Sequence, residues 1–226
     1  ILDGKRHITC HSYVESEINM LMHVADSMGF KINTFTHILE GYKLTKKLKS
    51  HGAGASTFAD WWAYKFEVND AIPYNAAILN DAGVVTAINS DDAEMGRRLN
   101  QEAAKAVKYG SSSQEDAWKM VTLNPAKLLR LDNRMGSLKI GKDADVVIWS
   151  GNPLSIYSKV EQTYIDGICY YDLEENKKTQ NRDYNEKLRI IKLLSTSKSK
   201  NKVKNSPKKE TFYHCDTIEH EHEHEH

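Results

Sequence analysis

The sequence predicts an α/β fold built on a parallel β-sheet. Short apolar runs alternate with segments in which apolar residues recur at the helical period of about 3.6 residues, and this unit repeats four times between residues 7 and 130. The connections are short, as in βαβ units, where each crossover packs a helix against parallel strands. In such sheets the chemistry lies at the carboxyl ends of the strands, so polar residues at these ends are the candidate functional residues.

The first two units occupy the N-terminal quarter of the chain. Residues 7–11 (HITCH) predict a strand, and the helix that follows has apolar residues at helical spacing up to a stop at Gly29. The second unit has a strand at 31–37 and a helix with a polar face at 42–52. Each unit therefore has the order strand, then helix.

The third and fourth units continue the same order. Small residues predict a short strand at 53–57, and a helix is expected over residues 69–83. The apolar run at 84–90 predicts the fourth strand, which is followed by helices near 94–109 and 114–130.

Composition places the chain among ordinary globular proteins. It has 226 residues, 31 basic and 31 acidic side chains and 40% hydrophobic residues, enough for one or two domains with real cores. No apolar stretch approaches the roughly 18 to 20 residues that cross a bilayer, and the start of the chain lacks the order of a signal peptide. Cys10, Cys169 and Cys215 are too few and too widely spaced for a disulfide framework. We expect a soluble protein without a membrane partner, cytoplasmic by default.

The C-terminal region has a different composition. Every charged residue from 187 to 209 is Lys or Arg, and the chain then becomes acidic and histidine-rich. This region is too polar to bury a core, so we predict a disordered, solvated tail. A basic run attracts nucleic acid or anionic lipid, but without interleaved aromatic residues or a folded groove nucleic acid is an unfavoured partner.

Glu and His alternate at the end of the tail, where an extended chain would place the four histidines on one side. Closely repeated imidazoles bind Zn, Ni or Cu, although a flexible site loses ordering entropy and selects poorly among metals. An expression tag is an alternative explanation, with unusual Glu spacing. The candidate tail ligands are His220, His222, His224 and His226.

Three polar residues fall at the carboxyl ends of predicted strands. His11 closes the first strand, His37 closes the second, and Asp91 follows the fourth. Two imidazoles and a carboxylate on one rim are the ligands of an open, catalytic site for a divalent metal. A single histidine at a strand end is more often a hydrogen-bonded structural residue, and this alternative also applies to His51. Asp92 is expected to cap the helix that follows it.

The loop after the third strand offers a candidate pocket wall. Trp61, Trp62 and Tyr64 supply aromatic surface, and Lys65 supplies one cation for a substrate carboxylate. Packing of the two tryptophans in the core is an equally good interpretation.

Several segments resemble the amidohydrolase superfamily, in its imidazolonepropionase-like branch of metal-dependent hydrolases. The most specific is GSLKIGKDADVVIWSGNP at 136–153, where a glycine-rich turn leads into a strand, and TLNPAKLLRLD just before it is nearly as specific. TCHSY, FTHILEGYK, HGAGASTFADWWAYK and AINSDDAEMGRRLNQEAAKA also match. The resemblance covers about residues 5–172.

The resemblance implies a three-part organisation. Residues 1–131 would be the C-terminal half of a (β/α)8 TIM barrel, and residues 132–172 part of a small composite β-sandwich domain. Residues 173–226 would be a helical and then disordered Lys-rich and His/Glu-rich tail.

The resemblance also implies a ligand set. His11, His37 and Asp91 would match ligands on the fifth, sixth and eighth strands of the barrel. The His-x-His pair of the first strand and the bridging lysine of the fourth have no counterpart in this chain. Val14 stands where relatives often carry a basic residue, which puts one substrate contact in doubt.

The implied activity is cleavage of carbon–nitrogen bonds in cyclic amides or dipeptide-like substrates, with one or two divalent ions, expected to be Zn. Asp91 would act as the general acid and base. Four βα units leave unpaired sheet edges, so we expect the chain to be a fragment that needs its N-terminal half, or a homo-oligomer, for activity. The alternatives are an inactive remnant that associates through those edges, and a protein whose function lies in the metal-binding tail.

Overall fold

A four-stranded parallel sheet organises the N-terminal part of the protein, in a computed structural model that describes residues 1–196. The strands lie in the order β1-β2-β3-β4, and all neighbouring pairs are parallel. The predicted sheet of βα units is therefore confirmed, while the four described strands do not by themselves close into a barrel. The strands are β1 (Ile8–His11), β2 (Ile32–Thr36), β3 (Gly54–Thr57) and β4 (Thr86–Ile88).

Helices return the chain between these strands. α1 (Glu15–Met28) joins β1 to β2, α2 (Thr45–His51) joins β2 to β3, and α3 (Asn75–Asp81) joins β3 to β4. α1 and α2 both end at a glycine in the left-handed conformation, with φ of 75° at Gly29 and 85° at Gly52. Glycine adopts this conformation without a Cβ penalty, which explains why the helices stop there.

Four short helices follow β4, where the sequence predicted two long ones. Asp92 caps the first of them, since its Oδ1 accepts a hydrogen bond of 2.8 Å from the Met95 backbone N–H. The predicted helix at 94–109 is broken between Gly96 and Leu99. The helices are α4 (Ala93–Gly96), α5 (Leu99–Gly110), α6 (Gln114–Lys119) and α7 (Leu123–Leu128).

Pro125 accounts for the break within the predicted helix at 114–130. Proline has no N–H to donate to the carbonyl of Val121, and its ring clashes with that carbonyl in a continuous helix. The chain therefore leaves the helix after Lys119 and re-enters one at Leu123. The Met120 carbonyl instead accepts a hydrogen bond of 2.9 Å from the Ile88 N–H, which ties this turn to the end of β4.

The largest core cluster lies between the sheet and its first two helices. Ile18 and Met22 of α1, Phe35 of β2 and Leu48 of α2 are each fully buried. Full burial of such a side chain contributes roughly 1.5–3 kcal/mol, so this contact holds α1 and α2 to the sheet.

Asn75 forms a buried polar tie beneath the carboxyl ends of the strands. It is 1% exposed, and its Nδ2 donates to the Ile38 carbonyl at 2.8 Å and to Thr57 Oγ1 at 2.9 Å. Its Oδ1 accepts from the Tyr42 N–H at 2.8 Å. One side chain therefore fixes the segment after β2 to the end of β3.

A three-stranded antiparallel sheet follows α7. β5 (Val146–Trp149) pairs with β6 (Val160–Ile165), and β6 pairs with β7 (Ile168–Asp172). Asp166 and Gly167 join β6 to β7 with φ of 50° and 77°. Positive φ at both positions is the backbone of a type I′ hairpin turn, for which Asp-Gly is a preferred pair.

The chain divides into two units; the first is Ile1–Lys178, and the second begins at Thr179 and is described up to residue 196. α8 (Leu173–Thr196) begins directly after β7, and Asp172 Oδ1 accepts hydrogen bonds from the Glu174 and Glu175 N–H groups at 2.9 and 3.1 Å. Among residues 1–196, no helix has the length and apolar character needed to cross a membrane.

Candidate active site

His11 and His37 lie side by side at the carboxyl ends of adjacent strands. His11 is the last residue of β1 and pairs with Thr36, the last residue of β2, so His37 follows directly. The Nδ1 atom of His11 is 2.6 Å from the Nε2 atom of His37, and the ring centroids are 4.7 Å apart. The parallel register of β1 and β2 thus brings together two imidazoles that are separated by 26 residues.

The His37 ring is held in a buried position. Its residue is 4% exposed, and its Nδ1 atom is buried without a hydrogen-bond partner among the described residues. Burial lowers the pKa of His37, the negative charge of Asp91 opposes that shift, and the neighbouring His11 adds to it. The environment therefore favours the neutral imidazole, which is the form that binds metals.

The two facing nitrogens suit a shared cation. Two neutral imidazoles form a hydrogen bond between these nitrogens only if one ring donates its N–H to the other. A distance of 2.6 Å is short for that bond. If neither nitrogen carries a proton, their lone pairs repel unless a cation lies near both. Imidazole nitrogens are ligands for Zn and similar divalent ions, so the chemistry of this pair fits a metal.

Asp91 lies just beyond β4, at the same end of the sheet as the histidines, where the carboxyl ends of the strands lie. It is exposed, and its Oδ1 is 3.5 Å from Asn89 Nδ2. Its charge acts on both His37 and Tyr64. Among residues 1–196, no three His, Cys, Asp or Glu side chains lie close enough together to hold a metal ion. The described residues therefore supply two facing imidazoles, with Asp91 acting on His37 electrostatically.

Tyr13 is a site residue that the sequence analysis missed. Its ring stacks on His37, with centroids 4.0 Å apart and an interplanar angle of 23°. Lys65 Nζ lies 3.8 Å from the centroid of the same Tyr13 ring, a cation–π contact. The available signal was the position of Tyr13, two residues after His11. Tyr13 thus links the histidine pair to the loop that carries Lys65.

The aromatic residues of the loop after β3 divide into packed and exposed members. Trp61 packs on Phe58 with ring centroids 5.0 Å apart, and it contacts Tyr64 edge-on at 5.8 Å. Trp62 and Tyr64 are 48% and 47% exposed. Partial burial and the neighbouring Tyr13 raise the pKa of Tyr64 to about 12, so its hydroxyl stays protonated near neutral pH.

His51 has a structural role in the core. It is buried, its Nε2 accepts a hydrogen bond of 3.0 Å from the Ile32 N–H, and its Nδ1 donates to Asp26 Oδ1 at 2.8 Å. The hydrogen-bonded alternative considered for His51 is therefore the one the structure shows. The tail ligands His220, His222, His224 and His226, together with Cys215, lie outside the described residues.

Comparison with known proteins gives consistent matches. A family model described as "Amidohydrolase family" matches residues 68–169. The chain is 29% identical over 176 residues to "Amidohydrolase tasK" of Hapsidospora irregularis, covering 76% of this chain and 18% of that protein. It is 29% identical over 136 residues to an imidazolonepropionase of Thermoplasma volcanium, covering 59% of this chain and 33% of that protein.

A solved structure agrees with these matches. The amidohydrolase from Thermotoga maritima MSB8 is 33% identical with a TM-score of 0.71, covering 76% of this chain and 45% of that one. The chain thus spans less than half the length of each of these three relatives. The family model, the sequence relatives and the structural match agree that this chain contains part of an amidohydrolase family domain.

Proposed function

We propose that this chain provides part of the active site of a metal-dependent hydrolase that cleaves carbon–nitrogen bonds. The observation that carries the proposal is the approach of His11 Nδ1 to His37 Nε2, 2.6 Å apart at the carboxyl ends of parallel strands. The family match of residues 68–169 supports the same reaction class.

His11 and His37 would hold a divalent metal, with zinc as the expected ion and one or two ions in the complete site. When bound, such an ion acts as a Lewis acid and brings the pKa of a water towards neutrality. A carboxylate oxygen of Asp91 would accept a proton from the attacking water. Asp91 would then return that proton to the leaving nitrogen. The electrostatic influence of Asp91 on His37 supports this assignment.

The loop after β3 would bind the substrate. The exposed faces of Trp62 and Tyr64 would supply an aromatic wall, and Trp61, packed on Phe58, supports that wall through its contact with Tyr64. The Lys65 ammonium would supply a charge for a carboxylate. This combination fits a small cyclic amide or a dipeptide-like substrate.

The active form would contain a second polypeptide segment, either an N-terminal half or another copy of the chain. In the described part of the chain, β1 pairs only with β2 and β4 pairs only with β3, which leaves two open edges. Unpaired edges of a parallel sheet readily accept further strands. The partner would also supply the remaining metal ligands.

Zinc binding by the full chain tests the histidine pair. A variant with all five tail histidines (His214, His220, His222, His224 and His226) and Cys215 changed to alanine should still bind Zn²⁺ in equilibrium dialysis. Adding His37→Ala to it should weaken binding by at least tenfold, since one of two ligands is lost. His23→Ala is the matched control, because His23 is an exposed histidine on α1. Equal affinity with and without His37 would contradict the assignment.

Hydrolysis then tests the reaction class. The zinc-loaded chain, mixed with a polypeptide that supplies a His-x-His strand, is assayed against a panel of cyclic amides and dipeptides. We expect turnover that falls by at least about 100-fold with Asp91→Asn, which keeps the shape and removes the base. Turnover that is unaffected by Asp91→Asn would reject the proposed role of that carboxylate.

A further inference from the structure

The second unit contains a basic helix with an exposed aliphatic surface. Four aliphatic side chains in the C-terminal half of α8 are between 44% and 54% exposed, and we call these four the aliphatic stripe. Aliphatic groups exposed side by side on one helix indicate a surface that binds a membrane or another molecule. The stripe consists of Leu188, Ile190, Ile191 and Leu193.

The aliphatic stripe is wide. At about 100° per residue, its four members span an arc of roughly 220° around the helix axis. Arg189 and Lys192 lie on the remaining side, and Lys187 lies within the arc, where its long stem can extend along an apolar surface towards water. An arc this wide exceeds the narrow seam that a two-helix coiled coil buries.

Beyond Glu186, the charged residues of the helix and of the sequence that follows it, up to residue 209, have one sign. Arg189 pairs with Glu186 through two hydrogen bonds of 2.7 Å, and Glu186 is the last acidic residue of the helix. From residue 187 to residue 209 every charged side chain is Lys or Arg. Two copies packed in parallel along the stripe would therefore bring like charges together.

We propose that residues 184–196 of α8 form a docking surface for a membrane with anionic phospholipid headgroups. The aliphatic stripe would enter the boundary between headgroups and acyl chains, while Lys187, Arg189 and Lys192 meet the lipid charges. The sequence analysis expected a solvated basic tail because the tail is too polar to bury a core, and it expected no membrane partner because no apolar stretch is long enough to cross a bilayer. The helix supplies an apolar face.

Nucleic acid fits this surface less well. Phosphate contacts would use the lysines and Arg189, but the aliphatic stripe would stay exposed, because binding to nucleic acid relies on charge and on aromatic stacking. An anionic bilayer is the partner that accounts for both the cations and the aliphatic stripe.

Vesicle co-sedimentation of the full chain tests the proposal, with EDTA present so that the tail histidines hold no metal. We expect binding to vesicles of phosphatidylcholine with phosphatidylserine, weak binding to phosphatidylcholine alone, and loss of binding at high salt. The double variant Leu188→Ala/Ile191→Ala should bind at least tenfold more weakly. Alanine is the strongest helix former, and far-UV circular dichroism confirms that the helix persists.

The matched control is Asn181→Ala/Asn185→Ala, which makes the same kind of change on the polar side of α8 and should leave binding within twofold. Absence of binding to the anionic vesicles would overturn the proposal. So would binding that the stripe variant leaves unchanged, since charge alone would then explain it. Self-association that the stripe variant abolishes, without vesicle binding, would assign the stripe to a second copy of the chain and equally reject the lipid proposal.

Discussion

Single buried side chains hold the ends of the strands in place. Asn75 bonds to three groups around the carboxyl ends of β2 and β3, and His51 joins the backbone at the start of β2 to the exposed Asp26. Each side chain also accepts a hydrogen bond from a backbone N–H group, and a buried N–H left without a partner costs roughly 1–3 kcal/mol. The position of the candidate site therefore depends on polar residues that take no part in its chemistry.

Asn75→Ala should lower the free energy of unfolding by about 2–4 kcal/mol, because it removes three hydrogen bonds, those to the Ile38 carbonyl, the Thr57 hydroxyl and the Tyr42 N–H. Urea denaturation measures the change. Asn80→Ala on the same helix is the control, and its effect should stay within about 1 kcal/mol because Asn80 is only partly buried. Equal losses in the two variants would show that the buried hydrogen bonds contribute little.

Residues that lie at strand ends were the ones whose neighbours could be predicted from the sequence. The adjacency of His11 and His37 could be predicted, because neighbouring parallel strands bring their carboxyl ends together. The stacking of Tyr13 on His37 could not be predicted, since it depends on the path of the loop after β1, although Tyr13 lies only two residues after His11. Asn75 was equally hidden, because its three partners come from different segments and no local pattern marks them.

Helix packing imposes its own requirement on α3 and α5. Gly110, the last residue of α5, lies against Ala77 of α3, and a Cβ at Gly110 would overlap the Ala77 Cβ. Two small residues at one crossing let the helices approach closely, at a distance that larger side chains would prevent.

Gly110→Ala should destabilise the protein by about 1–3 kcal/mol through overpacking at this crossing, despite the higher helix propensity of alanine. Adding Ala77→Gly should recover part of the loss, because it restores one small partner. Gly96→Ala is the control, since nothing lies near a Cβ at that position, and it should be neutral or slightly stabilising. Thermal unfolding compares the variants; a double variant no more stable than Gly110→Ala would refute the contact.

Elements were predicted well where periodicity was strong and poorly where local chemistry interrupted it. The four strands and α1 follow directly from apolar spacing. Pro125 marks the second break in the sequence, and Gly96 is a weaker signal for the first. The ends of α3 fell inside the predicted 69–83, because tertiary contacts of Asn75 determine where that helix begins.

At the scale of the whole molecule, the stability of the fold is linked to pH through exposed carboxylates. The hydrogen bond from Lys31 lowers the pKa of Asp26, and the hydrogen bond from His51 lowers it further. A depressed folded-state pKa means that the carboxylate stabilises the fold above its unfolded pKa of about 3.9. This contribution is lost as the pH falls through the folded-state value.

Asp26→Asn should therefore flatten the acid limb of the stability profile, the range below about pH 4, while the amide oxygen can still accept the His51 N–H. Lys31→Gln should have the same effect, because it removes the main cause of the lowered pKa. Urea midpoints measured from neutral to acidic pH test both variants. Acid limbs that match the unmodified protein in both cases would contradict the linkage.

The Asp166–Gly167 turn has a consequence for the order in which the molecule acquires structure. The two strands that it joins need only a local loop closure, and hairpins form in roughly 1–10 μs. The β1–β2 ladder must bring together residues more than twenty positions apart, so its chain-closure entropy is larger. During refolding, amide protons of the hairpin should gain protection from exchange before those of the parallel ladder.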